Sequence, residues 1–162
     1  MTVSLGEKAI NNNDVLRRVR YIFDFNDQTM ADIFALGGCK ANQTEVAAWL
    51  ARDDDKSFKH CENDAFIRFL NGLIIKYRGP KGDEPPAPES VLNNNVVLRK
   101  LKIALDLQAD DLLQILSLSD FMMSKHELSA LFRRPDHKNY RECLDQVLRN
   151  VLDGMAKHYK QS

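Results

Sequence analysis

The chain has 162 residues, of which 44% are hydrophobic and 28% are charged, so it can form a packed core and is not an intrinsically disordered chain. Lysine and arginine together number 23, as do aspartate and glutamate, and this zero net charge argues against a dedicated polyanion binder while allowing a local basic surface. No apolar run reaches the roughly 20 residues of a membrane span, because Arg68 interrupts the best candidate.

The first ten residues, MTVSLGEKAI, have neither a basic beginning nor a long apolar stretch, so no signal peptide is predicted. The three cysteines lack CxxC spacing, which is typical of proteins in a reducing compartment. We therefore expect a soluble, cytoplasmic protein.

The chain repeats itself: NNNDVLRRVRYIF begins at Asn11 and NNNVVLRKLKIAL begins at Asn93. A shift of 82 positions aligns residues 11–78 with residues 93–160 without a gap, and roughly 18 of about 68 aligned positions are identical. Residues 79–92, between the copies, hold four of the five prolines. The sequence thus predicts a first repeat at 11–78, a Pro-rich linker at 79–92 and a second repeat at 93–160.

Each repeat predicts four helices. The first follows the asparagine triplet, because Asn is a good N-cap, and it carries apolar side chains at helical spacing. The second spans about 28–36 and 110–118 and ends at Gly37-Gly38 or Ser119-Asp120. The third begins at a capping box, Asn42 with Glu45 or Ser124 with Glu127, and the fourth covers about 58–77 and 140–159.

No segment shows the sustained two-residue alternation of a strand. The fold class is therefore all-α, a tandem duplication of a four-helix unit. Because a unit of about 70 residues buries only a thin core, we expect about eight helices packed as one pseudo-symmetric body. Gly72 and Gly154 occupy equivalent positions inside the fourth helices, which suggests a close helix contact where these two helices cross.

Basic side chains recur at equivalent positions of the first helix in both repeats. They could contact nucleic-acid phosphates without reading bases, and the candidates are Arg17, Arg20, Arg99 and Lys102. The alternative is a solvated helix face, in which Arg20 pairs with Asp24 and Lys102 with Asp106 at i,i+4 spacing.

The segment RRPDHKNYRECLDQ concentrates basic side chains between two predicted helices. An anion site there would use Arg133, Arg134, His137, Lys138 and Arg141. The structural alternative is a capping box in which Asn139 precedes Glu142 by three residues. Cys143 lies on the apolar side of the helix pattern, so a buried thiol is favoured over a catalytic cysteine.

Other site types have weaker support. The second and third helices are similar to a helix-turn-helix, but their turn is longer than the usual 3–4 residues, and Asp53-Asp54-Asp55 would repel DNA. The four histidines are scattered, which predicts no metal site. Neither a Walker A motif nor a GxGxxG motif is present, so we expect no cofactor.

The segments NNNVVLRKLKIA (residues 93–104) and PDHKNYRECLDQ (residues 135–146), with the tandem layout, resemble the YehS-like family of small bacterial proteins with a tandem domain of unknown function. The resemblance covers both repeats and implies a bacterial, cytoplasmic protein, with no catalytic residues to transfer. The first repeat departs from the family pattern at Asp53-Asp54-Asp55 and Ser57. A site is therefore expected at residues 133–141 of the second repeat.

Our leading hypothesis is a non-enzymatic helical binding or regulatory module that associates with nucleic acid through the paired basic first helices. The alternatives are a protein-interaction adaptor and an enzyme that acts on an anionic small molecule through His137 and Arg141. A membrane partner is not expected. The sequence leaves the oligomeric state open.

Overall fold

The computed structural model describes residues 9–160 and confirms the all-α fold. Within these residues there are eight helices and no strand. Their bounds are α1 Asn12–Phe23, α2 Asp27–Leu36, α3 Gln43–Leu50, α4 Asn63–Arg78, α5 Asn94–Ala104, α6 Ala109–Leu118, α7 Lys125–Ala130 and α8 Asp145–Tyr159. No helix in this part of the chain combines the length and the apolar character needed to cross a membrane. The prediction of no signal peptide concerns residues that lie almost entirely outside the described part.

The two repeats share one hydrophobic core, as predicted. Within each repeat the second helix packs on the fourth, so α2 lies against α4 and α6 against α8. The first helix of each repeat packs mainly on the fourth helix of the other repeat, in the pairs α1–α8 and α4–α5. Each half therefore needs the other to cover its fourth helix, and the buried apolar side chains of both halves form a single cluster.

The asparagine triplets do more than cap helices. Asn11 caps α1 by accepting a hydrogen bond from the Asp14 backbone N–H at 2.9 Å. Asn13 is fully buried; its amide donates to the carbonyls of Trp49 and Lys59, both at 2.9 Å, and its oxygen accepts from the Cys61 N–H at 3.0 Å. One side chain thus joins the start of α1 to the end of α3 and to the segment before α4.

The second repeat uses the same bonds. Asn95 donates to the carbonyls of Leu131 (3.0 Å) and Arg141 (2.8 Å) and accepts from the Cys143 N–H at 2.8 Å. The middle asparagine also serves this junction, since Asn94 donates to the Cys143 carbonyl at 3.0 Å, as Asn12 does to the Cys61 carbonyl in the first repeat. The repeated triplet is therefore explained by repeated backbone hydrogen bonds.

The fourth helices begin later than predicted. α4 begins at Asn63 rather than near residue 58, and α8 begins at Asp145 rather than near residue 140. The preceding residues are held by bonds to distant parts of the chain: the Lys59 N–H donates to the Ala48 carbonyl, and the Arg141 N–H donates to the Ala130 carbonyl, both at 3.1 Å. The predicted capping box of Asn139 and Glu142 is consequently wrong, because no helix starts there.

Gly72 and Gly154 do allow close helix contacts, but the prediction that the two fourth helices meet at them is wrong. A side-chain carbon on Gly72 would lie 1.8 Å from the carbonyl oxygen of Ile33, and one on Gly154 would lie 2.0 Å from that of Ile115. Each glycine thus lets the fourth helix approach the second helix of its own repeat, rather than the other fourth helix. A larger residue at either position would therefore force the two helices apart.

Candidate nucleic-acid interface

The basic positions of the first helices have internal partners. Arg17 donates to the carbonyl of Ala51 at 2.7 Å, and its guanidinium lies 2.7 Å from Asp14 and 3.3 Å from Asp53. It satisfies a carbonyl just after α3, an end at which such groups lack helical partners. Arg17 therefore stabilises the first repeat, and a phosphate would have to compete with two carboxylates for it.

The other three first-helix candidates have different surroundings. Arg99 lies 3.5 Å from Glu89 of the linker, and the ammonium of Lys102 lies 5.7 Å from the centre of the Phe132 ring. Arg20 is exposed in the last turn of α1. The four side chains thus have separate roles in the structure, which weakens the idea that they form one phosphate-binding surface.

The i,i+4 pairs predicted for these helices do not form among the described residues. Asp24 and Asp106 follow the ends of α1 and α5 in the left-handed conformation, with φ of 55° and 53°. This geometry turns the chain away from the helix axis. Asp106 instead lies 3.4 Å from Arg78 of α4, so its carboxylate links the two repeats.

Residues 133–141, which we call the cationic loop, join α7 to α8. All five predicted anion-binding side chains in it are exposed: Arg133, Arg134, His137, Lys138 and Arg141. Backbone bonds fix the loop, since the His137 N–H donates to the Arg134 carbonyl at 2.9 Å and the Tyr140 N–H donates to the His137 carbonyl at 3.0 Å. A rigid backbone that presents basic side chains to solvent suits the binding of an extended anion.

Three of these side chains also have local contacts. Arg134 pairs with Asp136 at 3.1 Å, where both side chains are mostly exposed. His137 Nδ1 accepts from the Asn139 N–H, and Arg141 donates to the Tyr140 carbonyl, both at 2.9 Å. Exposed contacts of this kind are weak, so they leave the guanidinium groups available to a phosphate.

The equivalent loop of the first repeat, residues 51–59, has the same backbone and different charges. It repeats the three backbone bonds, from Asp55 to Arg52, from Phe58 to Asp55 and from Lys59 to Ala48. The cationic loop carries four basic side chains and one acidic one, with histidine counted as neutral, whereas loop 51–59 carries three of each sign. The structure therefore contains one cationic loop and a neutral copy of it.

Loop 51–59 also holds its own carboxylates in place. Asp55, at the position of His137, accepts from the backbone N–H and hydroxyl of Ser57 at 2.8 and 2.7 Å. These bonds lower the pKa of Asp55, because they favour its charged form. The two loops therefore differ in charge and not in backbone geometry.

Cys61 and Cys143 are buried thiols. Burial raises the pKa of Cys143 to about 12, with the nearby Asp145 carboxylate adding to the effect, and burial raises that of Cys61 to about 12 as well. A thiol with such a pKa is protonated at neutral pH and is a poor nucleophile. Within residues 9–160, no three side chains of His, Cys, Asp or Glu are grouped so that they could hold a metal ion.

One polar cluster was missed by sequence reasoning. Lys100 of α5 is buried; its ammonium donates to Asn71 Oδ1 of α4 at 2.6 Å and lies 2.8 Å from Glu89 of the linker. The available signal was the position of Lys100 on the apolar side of α5, between Val97 and Ala104. A lysine there needs a buried partner or a path to solvent.

Comparison with known proteins gives a family and a relative. The profile of a family described as "Protein of unknown function (DUF1456)" matches residues 12–79 and again residues 94–160. A protein of Escherichia coli (strain K12), named "Uncharacterized protein YehS", is 46% identical over 154 residues, which cover 93% of this chain and 98% of the relative. No solved structure gives a significant match.

Proposed function

The chain belongs to the DUF1456 family, and from the geometry of this member we propose that it is a non-enzymatic binding module that associates with nucleic acid through its cationic loop. The proposal places the binding surface at residues 133–141 rather than on the paired first helices, because Arg17 is held by a carbonyl and two carboxylates. It places the protein in the cytoplasm, where its three free thiols would stay reduced.

The observation that carries the proposal is the difference between the two loops. Both have the same backbone hydrogen bonds, yet only the loop of the second repeat has an excess of basic side chains, and these are exposed. Arginine suits phosphate because its planar guanidinium can donate two parallel hydrogen bonds. Binding of this kind follows the charged backbone and needs no base recognition.

The test is fluorescence anisotropy with labelled duplex DNA and with labelled RNA, in salt from about 50 to 200 mM. We expect an affinity that falls log-linearly with salt concentration. The variant Arg134→Glu with Lys138→Glu should weaken binding at least tenfold and reduce the slope of the salt dependence by about 2.

The first repeat supplies a matched control. Arg52→Glu with Lys56→Glu changes the same positions in the neutral loop, and Arg52 contacts Asp54 as Arg134 contacts Asp136. This control should bind almost as the wild type does. Equal losses in the two variants, or no binding at the lowest salt concentration, would overturn the proposal.

A protein-interaction adaptor is the second candidate, favoured by an apolar groove beside the cationic loop. The groove has a volume of about 610 Å³ and lies between α7 and residues 139–147, with Met123, Leu131 and Leu144 among its walls. Leu144 is 63% exposed at this groove, so it adds to the apolar surface that a partner could cover. Leu144→Ser, which adds no charge, should weaken binding of a protein partner and leave the salt-dependent binding of nucleic acid unchanged.

A further inference from the structure

The first helix of the second repeat, α5, lies against both ends of the cationic loop. Asn95 of α5 donates to the carbonyls of Leu131, two residues before the loop, and Arg141, its last residue, at 3.0 and 2.8 Å. Further along α5, the ammonium of Lys102 lies 5.7 Å from the centre of the Phe132 ring, and Phe132 directly precedes the loop. A basic side chain of α5 thus reaches the start of the loop.

Arg99 lies on the same face of α5, about one helical turn before Lys102. Side chains three residues apart on a helix are neighbours, so these two cations lie next to each other. Arg17, the equivalent of Arg99 in the first repeat, reaches the carbonyl of Ala51. Ala51 corresponds to Arg133, the first residue of the cationic loop. An arginine at the position of Arg99 is therefore long enough to reach the loop.

The two carboxylates that pair with Arg17 have no equivalent in the second repeat. Asp14 and Asp53 lie 2.7 and 3.3 Å from the Arg17 guanidinium. Their equivalents are Val96 and Pro135, which carry no charge. The second repeat thus keeps the arginine of its first helix and lacks the acidic side chains that neutralise it in the first repeat.

The excess of positive charge consequently extends from the cationic loop onto α5. The surface formed by the loop and this face of α5 comprises positions 96, 99, 102 and 133–141. It carries six basic side chains and one acidic side chain, with histidine counted as neutral, whereas the equivalent positions of the first repeat carry five basic and four acidic ones. A surface with this charge attracts phosphates and needs no contact with the bases.

One carboxylate of the linker also approaches this surface. Glu89 lies 3.5 Å from Arg99 and 2.8 Å from the buried ammonium of Lys100. Lys100 is the closer cation, and the contact of Glu89 with the half-exposed Arg99 side chain is weak. A phosphate can therefore replace Glu89 at Arg99 while Glu89 stays bound to Lys100.

We propose that Arg99 and Lys102 bind nucleic-acid phosphates together with the cationic loop, and that Glu89 competes with these phosphates for Arg99. This inference rests on the proposed function and adds two binding residues and a carboxylate that weakens binding. It assigns no such role to α1, where Arg17 is held by a carbonyl and two carboxylates.

The first test uses Arg99→Gln with Lys102→Gln in the anisotropy titration with labelled duplex DNA. The loss of two phosphate contacts should weaken binding about tenfold and reduce the slope of the salt dependence by about 2. The matched control, Arg17→Gln with Arg20→Gln, removes the same charge from α1 and should change the dissociation constant less than about twofold.

Single variants cover the case in which the Arg17 control does not fold, because Arg17 also binds the Ala51 carbonyl. Lys102→Gln and Arg20→Gln change equivalent positions and leave that bond intact. Lys102→Gln should weaken binding about threefold, and Arg20→Gln should bind DNA almost as the wild type does.

The second test concerns the linker. Glu89→Gln should strengthen binding about threefold, because Arg99 loses the carboxylate that competes with the phosphates. In a protein that also carries Arg99→Gln, the exchange at Glu89 should have no effect, whereas a general change of surface charge would act with or without Arg99.

The outcomes separate this inference from the proposed function. If Arg134→Glu with Lys138→Glu weakens binding and Arg99→Gln with Lys102→Gln does not, the inference is overturned and the proposed function stands. Equal losses in Lys102→Gln and Arg20→Gln, or an effect of Glu89→Gln that does not depend on Arg99, would also overturn it. Absence of binding by the wild type would overturn the proposed function and this inference with it.

Discussion

The two repeats meet at two equivalent contacts, α1 with α8 and α5 with α4. The contacts differ in the charged side chains that they contain and in how far these are buried. On the α1–α8 side, Arg18 and Asp153 form an ion pair with side chains that are 36% and 52% exposed. On the α4–α5 side, Lys100 and Asn71 occupy the equivalent positions and are buried. A duplicated chain has a single linker, and this linker passes over the second contact only.

The carboxylate that neutralises the cation of the first helix therefore comes from a different segment in each contact. Asp153 supplies it from a helix on the open side, whereas Glu89 supplies it from the linker on the covered side. Under the linker, an aspartate at position 71 in addition to Glu89 would place a second carboxylate beside Lys100, the buried cation of this contact, and this excess charge would be unfavourable. The asparagine at position 71 avoids that excess and keeps an acceptor for Lys100.

The contacts inside each repeat, by contrast, are almost identical, and the largest expected effect tests this identity. Asn13→Ala and Asn95→Ala each remove three hydrogen bonds to backbone groups that are far away in sequence. Each should lower the free energy of unfolding by about 3 kcal/mol or more, since buried groups lose their partners. Urea unfolding measures this, with the exposed Asn139→Ala as control.

If the losses of Asn13→Ala and Asn95→Ala differ by more than about 1 kcal/mol, the two repeats do not contribute equally to stability. The hydrogen bonds of Asn13 and Asn95 would then have the same geometry but contribute differently to the free energy of unfolding.

The glycines of the fourth helices provide a slightly smaller test. Gly72→Ala and Gly154→Ala place a carbon about 2 Å from a carbonyl oxygen, so the second and fourth helices must move apart. Overpacking of this kind typically costs 1–3 kcal/mol, and we expect about 2 kcal/mol in each repeat. The same urea experiment applies, and Gln114→Ala on the exposed side of α6 should change stability by less than about 0.5 kcal/mol. A loss in only one variant would show that one helix pair can relax.

Much of the fold could be predicted because its signals are local. Apolar side chains at helical spacing, capping residues and the internal repeat were enough for eight helices in one pseudo-symmetric body. The starts of α4 and α8 could not be predicted, because the segments before them are held by Asn13 and Asn95, which lie more than 40 residues earlier. The partner of Gly72 depended on how whole helices cross, which residue spacing does not specify.

The candidate site divides in the same way. Exposure of the cationic loop followed from its composition and from its place between two helices. The internal use of Arg17 did not, because it depends on the carbonyl of Ala51, 34 residues away. The burial of Lys100 depends on Glu89 in the Pro-rich linker, a segment without periodicity.

The two inter-repeat contacts should respond unequally to loss of their cations. Lys100→Met keeps the volume but leaves Glu89 without its nearest cation, and we expect a loss of about 1–2 kcal/mol, less than for a fully buried pair because Glu89 is one-third exposed. Arg18→Met removes an exposed pair and should cost less than about 1 kcal/mol. A double-mutant cycle of Lys100→Met with Glu89→Gln measures the coupling. Equal losses at positions 18 and 100 would contradict the proposed difference between the two contacts.

The smallest expected effect concerns the capping boxes at the starts of α3 and α7. Ser124 Oγ accepts from the Glu127 N–H, and the Glu127 carboxylate accepts from the Ser124 N–H, both at 3.0 Å. Ser124→Ala removes the first bond and should cost about 1 kcal/mol at neutral pH, and Asn42→Ala should cost a similar amount in the first repeat. A larger loss of stability in Ser124→Ala than in Asn42→Ala would show that the shorter helix α7 depends more on its cap than α3 does.

The pH dependence follows from Glu127. The bond from the Ser124 backbone N–H, followed by the bond with its side chain, lowers the pKa of Glu127 below its usual 4.5. A lowered carboxyl pKa contributes stability above the usual value, and this contribution is lost as the pH falls through the lowered one. In Ser124→Ala the backbone N–H remains, so an NMR titration should show the pKa of Glu127 moving only part of the way back. The difference in free energy of unfolding between wild type and Ser124→Ala should therefore be smaller in acid than at neutral pH. If this difference is the same at neutral pH and at about pH 3, the Ser124 cap does not depend on the charge of Glu127.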